Sequence, residues 1–175
     1  QLSSQNFATQ LIGHLPTIFL LSVLMLLGLT GAIYLIFKGQ KRIPVYSFLA
    51  RLPFVGSFVK IYLTAYYARE WGNMIGQGLE LSQIFQIMQE QRSVLFQEIG
   101  QDLGQALQNG QEFSDKIASY PFFKKELSLI IEYGEVKSKL GSELEIYALK
   151  TWEDFFGRVN QTMNLIQPLV FVFVA

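Results

Sequence analysis

The 175-residue chain has no cysteine and a single histidine, His14. Without thiols there can be no disulfide scaffold, thiolate zinc site, iron–sulfur cluster or cysteine nucleophile. One imidazole leaves almost nothing for a histidine metal site or a catalytic triad. Acid is missing from the first 69 residues, which hold only Lys38, Lys41, Arg42, Arg51, Lys60 and Arg69 as charged groups. All fourteen acids lie between residues 70 and 175, so the zero net charge conceals two differently charged halves. A phosphate-binding G-x-x-x-x-G-K-[ST] loop is also absent, and Gly76-Gln77-Gly78 lacks the third glycine and the preceding strand of a dinucleotide fingerprint. No useful length of the chain alternates with period two.

What is present is apolar and locally concentrated. Residues 15–37 carry no charge across 23 positions. As a helix they would reach about 35 Å, enough to cross a hydrocarbon core of about 30 Å with some tilt. The following Lys38-Gly39-Gln40-Lys41-Arg42 is no signal-peptidase site, and no basic stretch precedes the run. These residues are expected to form a transmembrane helix. The basic cluster after it places the C-terminal side in the cytoplasm and residues 1–14 outside. Beside a membrane exit, the same cluster fits topology and anionic lipid better than nucleic acid. Gly28, Gly31 and Ala32 offer a weak small-residue seat for another membrane helix. Residues 165–175 are apolar apart from Gln167 and are too few to span. They read as the start of a further membrane helix, so the chain is expected to be a fragment of a polytopic protein.

Between these segments the pattern predicts an all-α domain. Pro44 and Pro53 are expected to keep residues 38–57 a basic connector. Six helices are expected over residues 58–164. The first, about 58–76, is apolar around most of its circumference. The second is capped by Ser82 and the short fourth by Ser114. The third holds Phe96, Ile99, Leu103, Ala106 and Leu107, and carries Gly100 and Gly104, whose cost implies a closely packed neighbour. The fifth ends near Gly134. The sixth begins at Leu140 and is expected to run on toward the second apolar segment, kinked by Pro168. Glu132 and Glu135 share a helix face, but bundle metal sites require Glu-x-x-His pairs and this region has no histidine. Neither metal, cofactor nor catalytic constellation is expected. The fold class is therefore an all-α polytopic membrane protein with a six-helix cytoplasmic bundle between transmembrane helices.

Several segments, in order, resemble one family. They are Ala68-Arg69, Gly78-Leu79-Glu80-Leu81, Asn109-Gly110-Gln111-Glu112-Phe113-Ser114, Tyr133-Gly134-Glu135 with Leu140, and Ile166-Gln167-Pro168-Leu169. Arg51-Leu52-Pro53-Phe54-Val55-Gly56 is similar to that family's L-P-x-x-G connector. The resemblance is to the type II secretion F family, the membrane platform proteins of type II secretion, type IV pili and competence pseudopili. It covers about residues 44–171 and looks most like the competence-pilus branch. Two departures stand out. Glu80 replaces a usual proline, and Lys137-Ser138 replaces a usual Ser-Gly, so a tight turn there must form without glycine. The family carries two copies of the helical domain, and this one resembles the second.

The resemblance implies a role without catalysis. A platform protein in the cell membrane would couple a cytoplasmic hexameric assembly ATPase to extraction of major and minor pilins, or pseudopilins, into a growing fibre. Membrane lipid and other copies of the chain, as a homo-oligomer, are further implied partners, with no direct nucleic-acid contact. The family motifs mark Arg69, Gly78, Gly110, Ser114, Gly134, Glu135, Leu140 and Pro168 as structural or interface residues. Glu135 is expected near the start of the sixth helix, favoured by its dipole, with a buried Arg69 as a candidate partner. A membrane receptor or signalling protein with a cytoplasmic helical interaction domain is the alternative reading. Lacking a phosphate loop, the purified chain should neither bind nor hydrolyse ATP. Equilibrium binding and a phosphate-release assay on contaminant-free protein check this.

Overall fold

A computed structural model describes residue 23, residues 41–53 and residues 55–174 of the chain. The expected transmembrane span therefore lies, but for Val23, outside the described residues. Among the described residues seven helices follow one another without a strand: α1 (Ile43–Leu49), α2 (Val55–Gly76), α3 (Leu81–Glu90), α4 (Val94–Gln108), α5 (Phe113–Ala118), α6 (Lys125–Val136) and α7 (Leu140–Val174). No helix among them is long and apolar enough to cross a membrane. The all-α expectation holds, with two corrections to its layout. Residues 43–49 are helical because Pro44 falls in the first turn, where a missing N–H leaves no bond unmade. The helical body therefore has seven helices, and it begins at Lys41.

The central pair is α2 and α7, packed antiparallel along most of α2. Near one end, a Cβ on Gly72 would come within 3.1 Å of the Gly141 carbonyl oxygen and the Glu145 nitrogen. Further along, Tyr62 meets Trp152 edge-on at 5.7 Å and Phe58 meets Phe155 at 6.4 Å. At the other end Arg158 Nη1 donates to Ser57 Oγ at 2.8 Å. The remaining face of α2 carries Leu63, Tyr67, Ala68 and Trp71 into the core, where they meet α3, α4 and the α5–α6 region. Trp71 is fully buried, and its indole N–H faces Met88 Sδ at 3.2 Å. Phe113 and Phe123 stand edge-on to the Trp71 ring at 5.1 and 5.9 Å. This near-continuous apolarity of α2 is what a central bundle helix requires.

Helix starts differ from the capping expected of serine. Glu80, not Ser82, precedes α3, and its N–H donates to the Gln83 side chain at 3.1 Å. Its φ of −75° is one that proline also adopts, so the replacement keeps the backbone of the turn and adds the N–H donor that proline lacks. Glu112, not Ser114, precedes α5; Ser114 is the second residue of the helix and is buried. Polar ties then fix α5. Tyr120 donates its hydroxyl to Asp102 of α4 at 2.5 Å, and Lys116 lies 2.8 Å from the same carboxylate. Burial and the Asp102 contact push the Tyr120 phenol well above its ordinary range. The N–H of Lys124 reaches the buried Thr64 hydroxyl at 2.9 Å, joining the entry of α6 to α2.

The two glycines of α4 separate in role. A Cβ on Gly100 would lie 2.6 Å from Met88 Cβ and 2.9 Å from the Phe85 carbonyl oxygen, so α3 crosses α4 at this point. At Gly104 the nearest atoms would be 3.6 and 3.8 Å away, an ordinary contact. Gly100→Ala should therefore cost on the order of 1–2 kcal/mol net, overpacking outweighing the helix-propensity gain. Gly104→Ala should instead stabilise by up to about 1 kcal/mol. Thermal melts of the two variants beside the parent, in one detergent, check the opposite signs.

Candidate functional site

The family-like segments are far apart in sequence, yet most of them meet at one end of the bundle. Antiparallel packing places the C-termini of α2, α4 and α6 there, with the N-termini of α3, α5 and α7. A groove of about 640 Å³ is lined by Leu81, Leu107, Gly110, Gln111, Glu112, Phe113, Glu132, Glu135 and Val136. A second groove of about 410 Å³ shares Leu81 and Leu107 with it and adds Ile75, Leu79, Glu80, Ser82 and Leu140. Residues of the Gly78–Leu81, Asn109–Ser114 and Tyr133–Leu140 segments thus line adjoining surfaces. The reason lies in the turns. Gly78 and Gly110 have φ of +85° and +74°, reversing the chain after α2 and α4 without a Cβ penalty.

The α6–α7 junction is the tightest of these turns. A Cβ on Gly134 would lie 2.8 Å from Leu140 Cα, so the glycine lets the start of α7 press on the end of α6. The N–H groups of Ser138 and Lys139 donate to the carbonyls of Glu135 at 3.1 Å and Gly134 at 2.9 Å. Ser138 takes φ +53° at the place of the family's usual glycine. A serine there carries the left-handed cost of about 1–2 kcal/mol, which the flanking contacts over-determine.

Other motif residues stand elsewhere. Arg69 lies in α2 and is exposed, so the expected buried ion pair with Glu135 is not formed. Ser114 points into the core near the groove's Phe113. Pro168 sits within α7, which continues past it to Val174. Glu135 itself is exposed and belongs to the last turn of α6, not to the start of a helix. A carboxylate there opposes the helix dipole, the reverse of the expected favourable placement. No hydrogen bond or ion pair to its side chain occurs among the described residues. Partial burial raises its pKa, and the neighbouring charges of Glu112 and then Glu132 raise it further. Sequence reasoning singled out Glu135 and Gly110, and missed Glu112, Leu107 and Val136 as groove residues. Only the left-handed turn at Gly110, which carries Glu112 back toward α6, makes them neighbours.

Three acids and an apolar floor make this groove fit for a basic, partly apolar protein surface. Among the described residues no group of three His, Cys, Asp or Glu is arranged to hold a metal ion. The linkage sign follows from Glu135. Its folded pKa is raised, so the ionised carboxylate destabilises the fold at neutral pH, and stability recovers as pH falls through the folded pKa. Glu135→Gln should stabilise the fold at pH 7 by less than about 1 kcal/mol for so solvent-screened a group, read as a slight rise in melting temperature. The difference should vanish below about pH 4, where folded and unfolded carboxyls are both protonated. Melts across about pH 3–8 check this.

Known proteins agree with the resemblance. A profile of the family described as type II secretion system (T2SS), protein F, matches residues 67–175. ComG operon protein 2 of Bacillus subtilis (strain 168) is 24 % identical over 163 residues, covering 93 % of this chain and 50 % of that protein. Its homolog in Halalkalibacterium halodurans is 28 % identical over 136 residues, covering 77 % of this chain and 41 % of that protein. The chain spans about half the length of these curated relatives or less. No solved structure matches it. Proteins of the matched family are structural platform components and not enzymes, and the relatives agree with the competence-pilus branch. With the profile covering well over half of its residues, the chain belongs to the type II secretion system protein F family.

Proposed function

We propose that this chain is the cytoplasmic bundle and flanking membrane segments of a platform protein in the cell membrane. It serves a competence pseudopilus, or a closely related type IV pilus or secretion machine. On this reading it couples a cytoplasmic hexameric assembly ATPase to the extraction of pilins and the growth of a fibre. One observation carries the reading beyond family membership. Three of the motif segments, Gly78–Leu81, Asn109–Ser114 and Tyr133–Leu140, meet at one end of the bundle, and α7 leaves that end as a single 35-residue helix leading into the apolar residues 165–175. A helix of that length is about 50 Å long. Displacement at the groove would therefore be carried along α7 toward the membrane, braced by α2 over much of the way. The acidic groove, with Glu112, Glu132 and Glu135, is the surface offered to a basic face of the ATPase. Family-motif glycines support it: Gly78, Gly110 and Gly134 shape its walls. Energy for the cycle comes from the partner's ATP hydrolysis.

The test joins assembly to stability. In cells carrying the whole protein, charge reversal at Glu132 and Glu135 together should abolish fibre assembly and photo-cross-linking from position 136 to the ATPase, while the protein accumulates and melts normally. Retained assembly with a folded double variant would remove the groove from the coupling path. Topology is checked in parallel. A lone cysteine at Ser3 should react with an impermeant maleimide from outside intact cells, and one at the highly exposed Val136 should react only after lysis. The reverse pattern would take the ATPase out of reach.

A further inference from the structure

The helix α1 has an apolar sequence, Ile43-Pro44-Val45-Tyr46-Ser47-Phe48-Leu49, yet none of its residues is buried. Phe48 is 59 % exposed, and Val55, just beyond the α1–α2 turn, is 48 % exposed. The helix is nevertheless firmly held. The Glu98 carboxylate of α4 accepts the backbone N–H groups of Arg42 at 2.6 Å and Ile43 at 2.8 Å, closing its N-terminus. At its other end Gly56 lies against Ala50 so closely that an added Cβ would sit 2.4 Å from the Ala50 carbonyl oxygen. Such a segment is fixed in place with an apolar side left open, which is the mark of a surface awaiting a cover.

The surrounding charges identify that cover. Lys41 and Arg51 flank α1 and are exposed. Arg158 of α7 is brought to the same end by its bond to Ser57. Residues 41–60 hold four basic groups and residues 155–175 hold Arg158, with no acid in either stretch; of the α4 acids that stand near Lys41, Glu98 is taken up by the N–H groups at the start of α1 and Asp102 by Tyr120 and Lys116. Both stretches adjoin the apolar segments. Lys41 follows residue 37 by four positions, at most about 14 Å of extended chain. Arg158 precedes residue 165 by seven, about 10 Å along a helix. The polar headgroup zone adds roughly 5–8 Å beyond the hydrocarbon core, and long basic side chains reach the remaining distance. A second copy of the chain meeting this patch face to face would oppose like charges, whereas an anionic bilayer complements them.

We propose that α1 and the α1–α2 turn form a membrane-interface foot for an anionic bilayer. Phe48 and Val55 rest at the boundary of headgroups and acyl chains, and Lys41, Arg51 and Arg158 sit on lipid phosphates. This rests on the reading of residues 15–37 and 165–175 as membrane-embedded, and assigns the bundle a fixed contact with the surface between them. The foot would anchor one end of α2 while the groove end moves.

The natural absence of cysteine makes the test direct. Single variants F48C, V55C and V136C of the 175-residue chain are labelled with an environment-sensitive fluorophore and reconstituted in phosphatidylcholine liposomes. Phosphatidylserine is added or omitted, and a headgroup-nitroxide lipid serves as quencher. Labels at 48 and 55 should shift to the blue and be quenched by the nitroxide, more strongly with phosphatidylserine and less at high salt. The label at 136 should do neither. Combining F48C with K41Q, R51Q and R158Q should abolish the phosphatidylserine dependence. Labels at 48 and 55 as wet as that at 136, in a chain that floats with vesicles and resists carbonate extraction, overturn the foot alone. A chain that does not float overturns the membrane reading with it. A blue shift without nitroxide quenching means protein covers the patch and defeats the lipid assignment. Undiminished phosphatidylserine dependence in the combined variant defeats the role given to the charges.

Discussion

The close approach of α2 and α7 at Gly72 and Gly141 is the constraint on which the other contacts depend. Backbone from the two helices comes together where a side chain on either would crowd the other's peptide groups. Because the pair is antiparallel, this one crossing aligns both ends at once. At one end the last turn of α2 meets the first turn of α7, so the Gly78–Leu81 and Tyr133–Leu140 segments become neighbours. At the other, Ser57 meets Arg158 and the α1–α2 turn is set beside the part of α7 that leads toward its apolar end. Aromatic contacts between Phe58, Tyr62, Trp152 and Phe155 fill the space between, where glycine no longer holds the helices so near.

This geometry sorts charge along the bundle. The groove end gathers Glu112, Glu132 and Glu135 around a floor of Leu81, Leu107, Phe113 and Val136. At the opposite end Arg158 reaches Ser57 beside the α1–α2 turn that carries Arg51, while Lys41 stands at the start of α1 near Glu98 and Asp102 of α4. Neither grouping is contiguous in sequence.

Glu135 shows how a residue singled out by its motif can be given the wrong physics. Its motif places it beside a glycine, which suggested a tight junction in which the acid would be held and satisfied. The junction is tight, but Gly134 alone makes it so, against Leu140. Glu135 falls one residue later, on the outside, at the unfavourable end of its helix dipole and beside two other carboxylates. Its charge therefore costs the fold stability, and no hydrogen bond or ion pair among the described residues offsets that cost.

Much of the fold was legible in the chain. Helical periodicity and the Gly and Asn-Gly stops located α2 to α7 to within a few residues, since burial of one apolar face leaves a 3.6-residue imprint. The resemblance named the family from five ordered segments and a connector, and the departure at Ser138 correctly pointed to a turn made without glycine. Caps were less legible, because Glu80 and Glu112 precede their helices through backbone geometry that several residue types allow. The helix at residues 43–49 was hidden for a similar reason: a proline forbids a helix interior but suits its first turn, and only the Glu98 carboxylate, 55 residues away, shows which applies. By itself the sequence determined what is local: helix formation, the apolar segments, the left-handed turns and the lack of catalytic chemistry. Tertiary structure alone decided which turns share an end, which acids share a groove, and that α1 stays uncovered. Those depend on how close two distant backbones can come, and that distance is set by contacts such as Gly72 with Gly141 that leave no periodic trace in the chain.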